Sequence, residues 1–151
     1  MMKKKIAIRK KLDKRLGYPL VTSIHEEYYL PVELFGIIKL QHITTFLKSV
    51  VDETFFQFSE VGGIQFGPLL GSPFDGIEDL SEKDVEIGLD DEEIRIPKLE
   101  FFQLCSEFIE RVKESIDVFE LENLGLVDSV WRETIFEMGN QIDQKIQEIE
   151  F

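Results

Sequence analysis

Cysteine appears once and histidine twice in this 151-residue chain. One cysteine excludes an internal disulfide framework and a cysteine-based zinc cage. A metal site needs three or more converging ligands. The run His25-Glu26-Glu27 places His25 and Glu27 on one strand face, which supplies two at most. His42 lies within a predicted helix, and no HExxH spacing exists. Both histidines therefore read as structural or surface residues, and neither metal nor cofactor is expected. Long apolar runs are missing too. The longest fall far short of the roughly 20 residues of a membrane-spanning helix, so no membrane partner is expected. The start, MMKKKIAIRKKLDKR, has the basic opening of a secretion signal without the continuous apolar segment that must follow. A cytoplasmic location is the simplest expectation.

Positive charge is scarce and unevenly placed. The chain holds 17 Lys/Arg against 30 Asp/Glu, a net charge of −13. Residues 1–15 carry eight of the basic residues and one Asp, leaving nine basic against 29 acidic residues in the remainder. Such a surface repels nucleic-acid phosphates and attracts cationic partners. An acidic surface also serves simply to keep a protein in solution. The lysine cluster at the start lacks interleaved aromatics that would stack on bases, so no nucleic-acid partner is expected.

What is present in quantity is apolar: 43% of residues, with thirteen Phe. That composition predicts a folded core, and the length suits a single domain over residues 1–151. Alternation predicts a first strand over residues 4–12 and a second from Leu20 to Ile24, separated by the turn Gly17-Tyr18-Pro19. A helix is predicted from Pro31 to about Asp52, with Ile43, Phe46, Leu47, Val50 and Val51 as its apolar stripe and a break near Gly36 as the variant reading. Thr54–Phe58 reads as a strand with aromatics on both faces. Gly62-Gly63 reads as a turn, with Ile64 and Phe66 in a short strand beyond it. Gly67-Pro68 and Gly71-Ser72-Pro73 then open a loop to about Lys83, long enough for function to reside there.

The most informative stretch runs from Asp84 to Ser115. Val85, Ile87 and Leu89 alternate with polar residues, four acids follow, and Ile94 and Ile96 resume the alternation, which predicts a β-hairpin with an acidic tip. Pro97 is placed at the first helical position, where its missing N–H costs nothing. Phe101, Leu104, Cys105, Phe108, Val112 and Ile116 then form one apolar stripe. A final long helix carries Val127, Trp131, Ile135, Met138, Ile142, Ile146 and Ile149 at spacings of three and four. The segments EEYYLPVELF from Glu26 and EEIRIPKLEFF from Glu92 align without a gap at five positions. Two independent strand-to-helix junctions give the same pattern, and repeat architectures usually need three or more copies.

Candidate chemistry is thin. Cys105 sits on an apolar stripe among acids, which is the setting of a packing residue and not of an activated thiolate. Glycines 62, 63, 67 and 71 lack the GK[ST] ending and nearby cation of a phosphate loop, and the acidic run lacks the alternating D-x-D-x-D-G of a calcium loop. No catalytic residue is assigned. What remains is the segment Asp75 to Glu93, with ten Asp/Glu against Lys83. Its candidate partner-binding residues are Phe74, Asp75, Ile77, Glu78, Asp79, Glu82, Asp84, Glu86, Asp90, Asp91, Glu92 and Glu93. Acids with interleaved large apolar residues suit an interface in which charge steers and apolar anchors hold. The same residues suit a loop pinned to the core by Phe74, Ile77 and Leu80.

The fold expected is α+β: an antiparallel sheet of five or six short strands with two or three amphipathic helices packed on one face. The strand–Pro–helix pattern EEIRIPKLEFFQLCSEFIERV, in a small acidic chain without catalytic residues, resembles bacterial toxin-immunity proteins. The quoted pattern spans Glu92–Val112, 21 of the 151 residues. The resemblance implies a cytoplasmic protein that binds and neutralises one cognate toxin, often a basic nuclease, and it transfers no binding residue. Two other readings stand beside it. One is a carboxylate-based hydrolase using His25, Glu26 and Glu27. The other is a regulatory subunit or homodimer assembling through the last helix, for which an exposed Trp131 stripe is the mark.

Overall fold

A computed structural model describes residues 6–8, 21–23, 34–35, 38, 42–59, 62–67, 80–115 and 129–150. Two short strands, β1 (Ile6–Ile8) and β2 (Val21–Ser23), precede α1 (Ile43–Asp52). Four strands follow with α2 after the last: β3 (Phe56–Ser59), β4 (Gly62–Phe66), β5 (Asp84–Leu89), β6 (Glu92–Pro97) and α2 (Lys98–Ser115). The long helix α3 (Ser129–Glu150) comes last. The architecture is α+β, with an antiparallel sheet in the order β3-β4-β5-β6. The sheet is smaller than the five or six strands expected. β1 and β2 pair only with each other, and β1 lies beside α2, so the two strands satisfy one another without joining an edge of the main sheet.

The hairpin of β5 and β6 forms as the alternation requires. Val85 faces Ile96 across the ladder and Ile87 faces Ile94, so one face collects the apolar residues. Phe56, Ile64 and Ile87 continue that row across β3, β4 and β5. Pro97 ends β6 opposite Asp84, and the helix begins at Lys98. Its first helical position is thus one residue later than the proline predicted.

Helix α2 buries Phe101, Leu104, Cys105, Phe108 and Val112 as expected, and Phe102 and Ile109 in addition, while Ile116 lies outside the described residues. The stripe is wider because α2 packs against several elements at once: α3, β1 and the strands β5 and β6 of the main sheet. Phe101 meets Phe66 of β4 edge-on at 5.8 Å, while Phe108 stacks on Phe35 at 4.6 Å. Phe35 in turn meets Phe46 of α1, and Phe46 meets Phe56 of β3, a chain of rings tying both helices to the sheet. Offset and edge contacts of this kind add to the apolar area each ring buries. Burial pushes the Cys105 thiol well above its ordinary range, in keeping with a packing role.

The span predicted from Pro31 is interrupted, in keeping with the variant reading of a break near Gly36: Leu34 and Phe35 are helical, Ile38 sits in a bend and donates its N–H to the Phe35 carbonyl, and α1 begins at Ile43. It stops at Glu53, which adopts a left-handed φ of 54°. The Thr54 N–H reaches back to the Ser49 carbonyl and the Glu53 N–H to Val50, closing the helix as a Schellman turn usually built on glycine. The side chain compensates for that backbone. Its carboxylate accepts hydrogen bonds from Lys98 at 2.6 Å and Lys145 at 3.0 Å, tying α1, α2 and α3 at one point. Burial alone would raise the Glu53 pKa. The hydrogen bonds and charges of the two lysines outweigh it and hold the carboxyl below its ordinary 4.5.

Helix α3 packs chiefly on α1 and α2 through Trp131, Ile135, Met138 and Ile142, all buried. Of the predicted stripe, Ile149 is exposed in the last turn and Val127 lies outside the described residues. Ser106 of α2 donates to Asp143 of α3 at 2.7 Å. Among the described residues no helix is long and apolar enough to cross a membrane.

Candidate functional site

The two faces of the sheet differ because side chains alternate along each strand. With Ile64, Phe66, Val85, Ile87 and Leu89 turned to the helices, the intervening residues Gly63, Gln65, Glu86 and Gly88 face outward. The ladder registers align them in rows. One row runs Gln57, Gly63, Gly88, Glu93, and another includes Gln65, Glu86 and Arg95. Glu86 accepts a hydrogen bond from the Arg95 guanidinium at 2.9 Å, a cross-strand ion pair on this outer face.

Gly62 and Gly63, expected to form a turn, lie inside β4 instead, opposite Leu89 and Gly88. Strand β3 slips register between Gln57 and Ser59. At Gly63 it passes so close that a Cβ there would lie 2.8 Å from the Phe56 carbonyl oxygen. Gly67 has an equally plain reason, since a Cβ would lie 1.9 Å from the Ser81 carbonyl oxygen. That contact, with the Gly67 N–H donating to the Asp84 carbonyl, sets the end of β4 beside the start of β5.

The β5–β6 turn is Asp90-Asp91, with Leu89 opposite Glu92. Asp90 takes a φ of 55°, a left-handed conformation that Asp tolerates better than most residues. Asp90, Asp91, Glu92 and Glu93 are all exposed. With two glycines facing each other across β4 and β5, the outer face sinks between Gln57 and Glu93. The result is an open concavity of about 440 Å³ beneath the acidic tip. Five carboxylates line it, from Glu86 and the four tip residues, and none of its lining residues is basic. Phe55 stands on its wall with 58% of its surface exposed.

Of the candidate residues read from the sequence, Glu86, Asp90, Asp91, Glu92 and Glu93 come together around this concavity. Glu82 is exposed and Asp84 half-buried at the opposite end of β5, away from its lining. Phe74, Asp75, Ile77, Glu78 and Asp79 lie outside the described residues, as do His25, Glu26 and Glu27. Leu80, shortly before β5, is buried. Phe55, Gln57, Gly63, Gln65 and Gly88 join the site unanticipated. A signal existed for two of them: Gly88 occupies a polar-phase position in an otherwise regular strand, and Phe55 falls out of phase with Phe56. Among the described residues, no three His, Cys, Asp or Glu side chains converge as a metal site.

Comparison with protein-family models, with curated proteins and with solved structures found no match to this chain.

Proposed function

We propose that this chain is an acidic protein-binding module of the immunity type, which binds and neutralises a basic cognate protein toxin, a nuclease being one candidate. The observation that carries this reading is the exposed run Asp90-Asp91-Glu92-Glu93 at the β5–β6 turn of a chain with net charge −13. Four adjacent carboxylates on a two-residue turn concentrate negative potential where a partner first arrives. Exposed charge of this kind raises association rates, and the one or two acids desolvated on contact set dissociation. The loop residues Phe74, Asp75, Ile77, Glu78 and Asp79 extend the proposed surface, together with Glu82 and Asp84. The turn is well suited to carry charge because its side chains have no part in the core.

The rival assembly through α3 loses the Trp131 stripe it was expected to use, since Trp131, Ile135, Met138 and Ile142 pack against α1 and α2, and it would have to rest on the exposed Val130, Phe136 and Ile149. The test is to identify the partner by co-purification and mass spectrometry, then to measure binding at low and high salt. Neutralising Asp90, Asp91, Glu92 and Glu93 together to Asn and Gln is expected to slow association and flatten its salt dependence, with the unfolding midpoint little changed. Co-expression of the wild-type chain is expected to rescue growth of cells producing the partner. Unchanged association rates at low salt, or a partner without toxicity, would remove the reading.

A further inference from the structure

One part of the outer-face concavity is not demanded by the fold. Gly63 has a steric reason to be glycine in the close passage of β3. Gly88, directly opposite it, has none, because the nearest atom to a Cβ there is the Glu92 carbonyl oxygen at 3.8 Å, an ordinary contact. Its φ is also outside the left-handed range. Glycine inside a strand weakens it, and its usual justification is a bulge or the close approach of a ligand or another chain. Gly88 lies in an unbroken ladder with both neighbours, so the bulge explanation fails.

The surroundings specify what would approach. The floor is flat peptide, one wall is the exposed ring of Phe55, and Glu93 stands beside Gly88 in the same row. Gln57 and Gln65 add amide groups. A planar cation fits each of these features. It lies on a bare backbone, stacks on a ring and is paired by carboxylates, whereas an ammonium is a compact, strongly hydrated point charge.

The geometry points to an arginine side chain of the basic partner as the occupant, its guanidinium over Gly88, against Phe55 and paired with Glu93. The assignment presupposes the proposed role as a binder of a basic protein, and adds the residue recognised and the place where it docks. The probe is a capped pentapeptide with a single arginine between glycines, compared with its lysine counterpart. Each is titrated into the isotope-labelled full chain at low ionic strength and followed by amide NMR. Saturable shifts are expected at the amides of Phe55, Gly63 and Gly88, with the arginine peptide bound about threefold or more tightly than the lysine peptide. Gly88→Val is expected to weaken arginine-peptide binding about tenfold by filling the floor, without lowering the unfolding temperature. Phe55→Ala is expected to abolish the preference for arginine.

Equal affinity for the two peptides, shifts confined to other amides, or unchanged binding by Gly88→Val would overturn the assignment. Concentration-dependent shifts at these amides without peptide would overturn it in favour of self-association. The parent reading fails separately. If tip neutralisation slows partner association while Gly88→Val and Phe55→Ala leave the complex unaffected, the acidic surface stands and the arginine site falls.

Discussion

Ile87 and Gly88 are neighbours in one strand, yet they belong to surfaces built on opposite principles. Ile87 is fully buried between the sheet's apolar row and the helices, on a face where Ile64, Phe66, Val85, Leu89 and Ile96 are buried with it. Gly88 faces outward with nothing over it, between Gly63 and Glu93. The inner face is filled because unfilled volume there costs stability. The outer face is left hollow, rimmed by like charges and furnished with one exposed ring. A sheet stabilised by one face alone leaves the other open to be shaped by selection for contact.

The contrast can be broken most severely from the inside. Ile87→Ala should destabilise the fold by about 2–5 kcal/mol, the usual cost of removing that much buried aliphatic volume. A denaturant midpoint equal to wild type would mean that the inner face is not packed as described.

A smaller effect is expected where the helix layer is closed by polar contacts. Glu53→Gln loses the charge pairing with Lys98 and Lys145, about 1 kcal/mol after allowance for solvent screening of a partly exposed group. The folded-state pKa of Glu53 lies below its ordinary 4.5, so its contribution is present above that value and lost as pH falls through the folded value. Unfolding free energies of wild type and variant should therefore differ at pH 7 and converge below pH 4.5. A constant difference across that range would show that the lysines do not act through the Glu53 charge.

The smallest effect has the opposite sign and sharpens the comparison most. Gly88→Val places a strand-favouring side chain in open space and should stabilise the fold by about 0.5–1 kcal/mol. Gly63→Val should destabilise it, because Phe56 blocks its Cβ at 2.8 Å. If thermal unfolding shows both variants destabilised alike, the outer face is tighter than the geometry indicates and Gly88 has a structural reason after all.

Strand and helix periodicity made much of this legible beforehand. The alternation at Val85, Ile87 and Leu89 determined which face of β5 is buried, since a strand's side-chain period admits only two choices. The three- and four-residue spacing from Phe101 to Val112 determined the buried side of α2, and the four acids between two alternating runs marked an exposed turn. These are local properties, settled by backbone geometry and by the cost of burying charge. What the chain order could not disclose depends on which segments meet. Whether β1 and β2 joined the main sheet depended on which strands met, and tertiary packing paired them with each other, with β1 beside α2. Gly62 and Gly63 read as a turn because glycine is common there. Only the passage of β3 and the register with β5 reveal a strand, with one glycine opposite another. Glu53 became the junction of three helices through contacts with residues 45 and 92 positions away. The hollow under the acidic tip arose in the same way, from residues of four strands that are neighbours only after the sheet has formed.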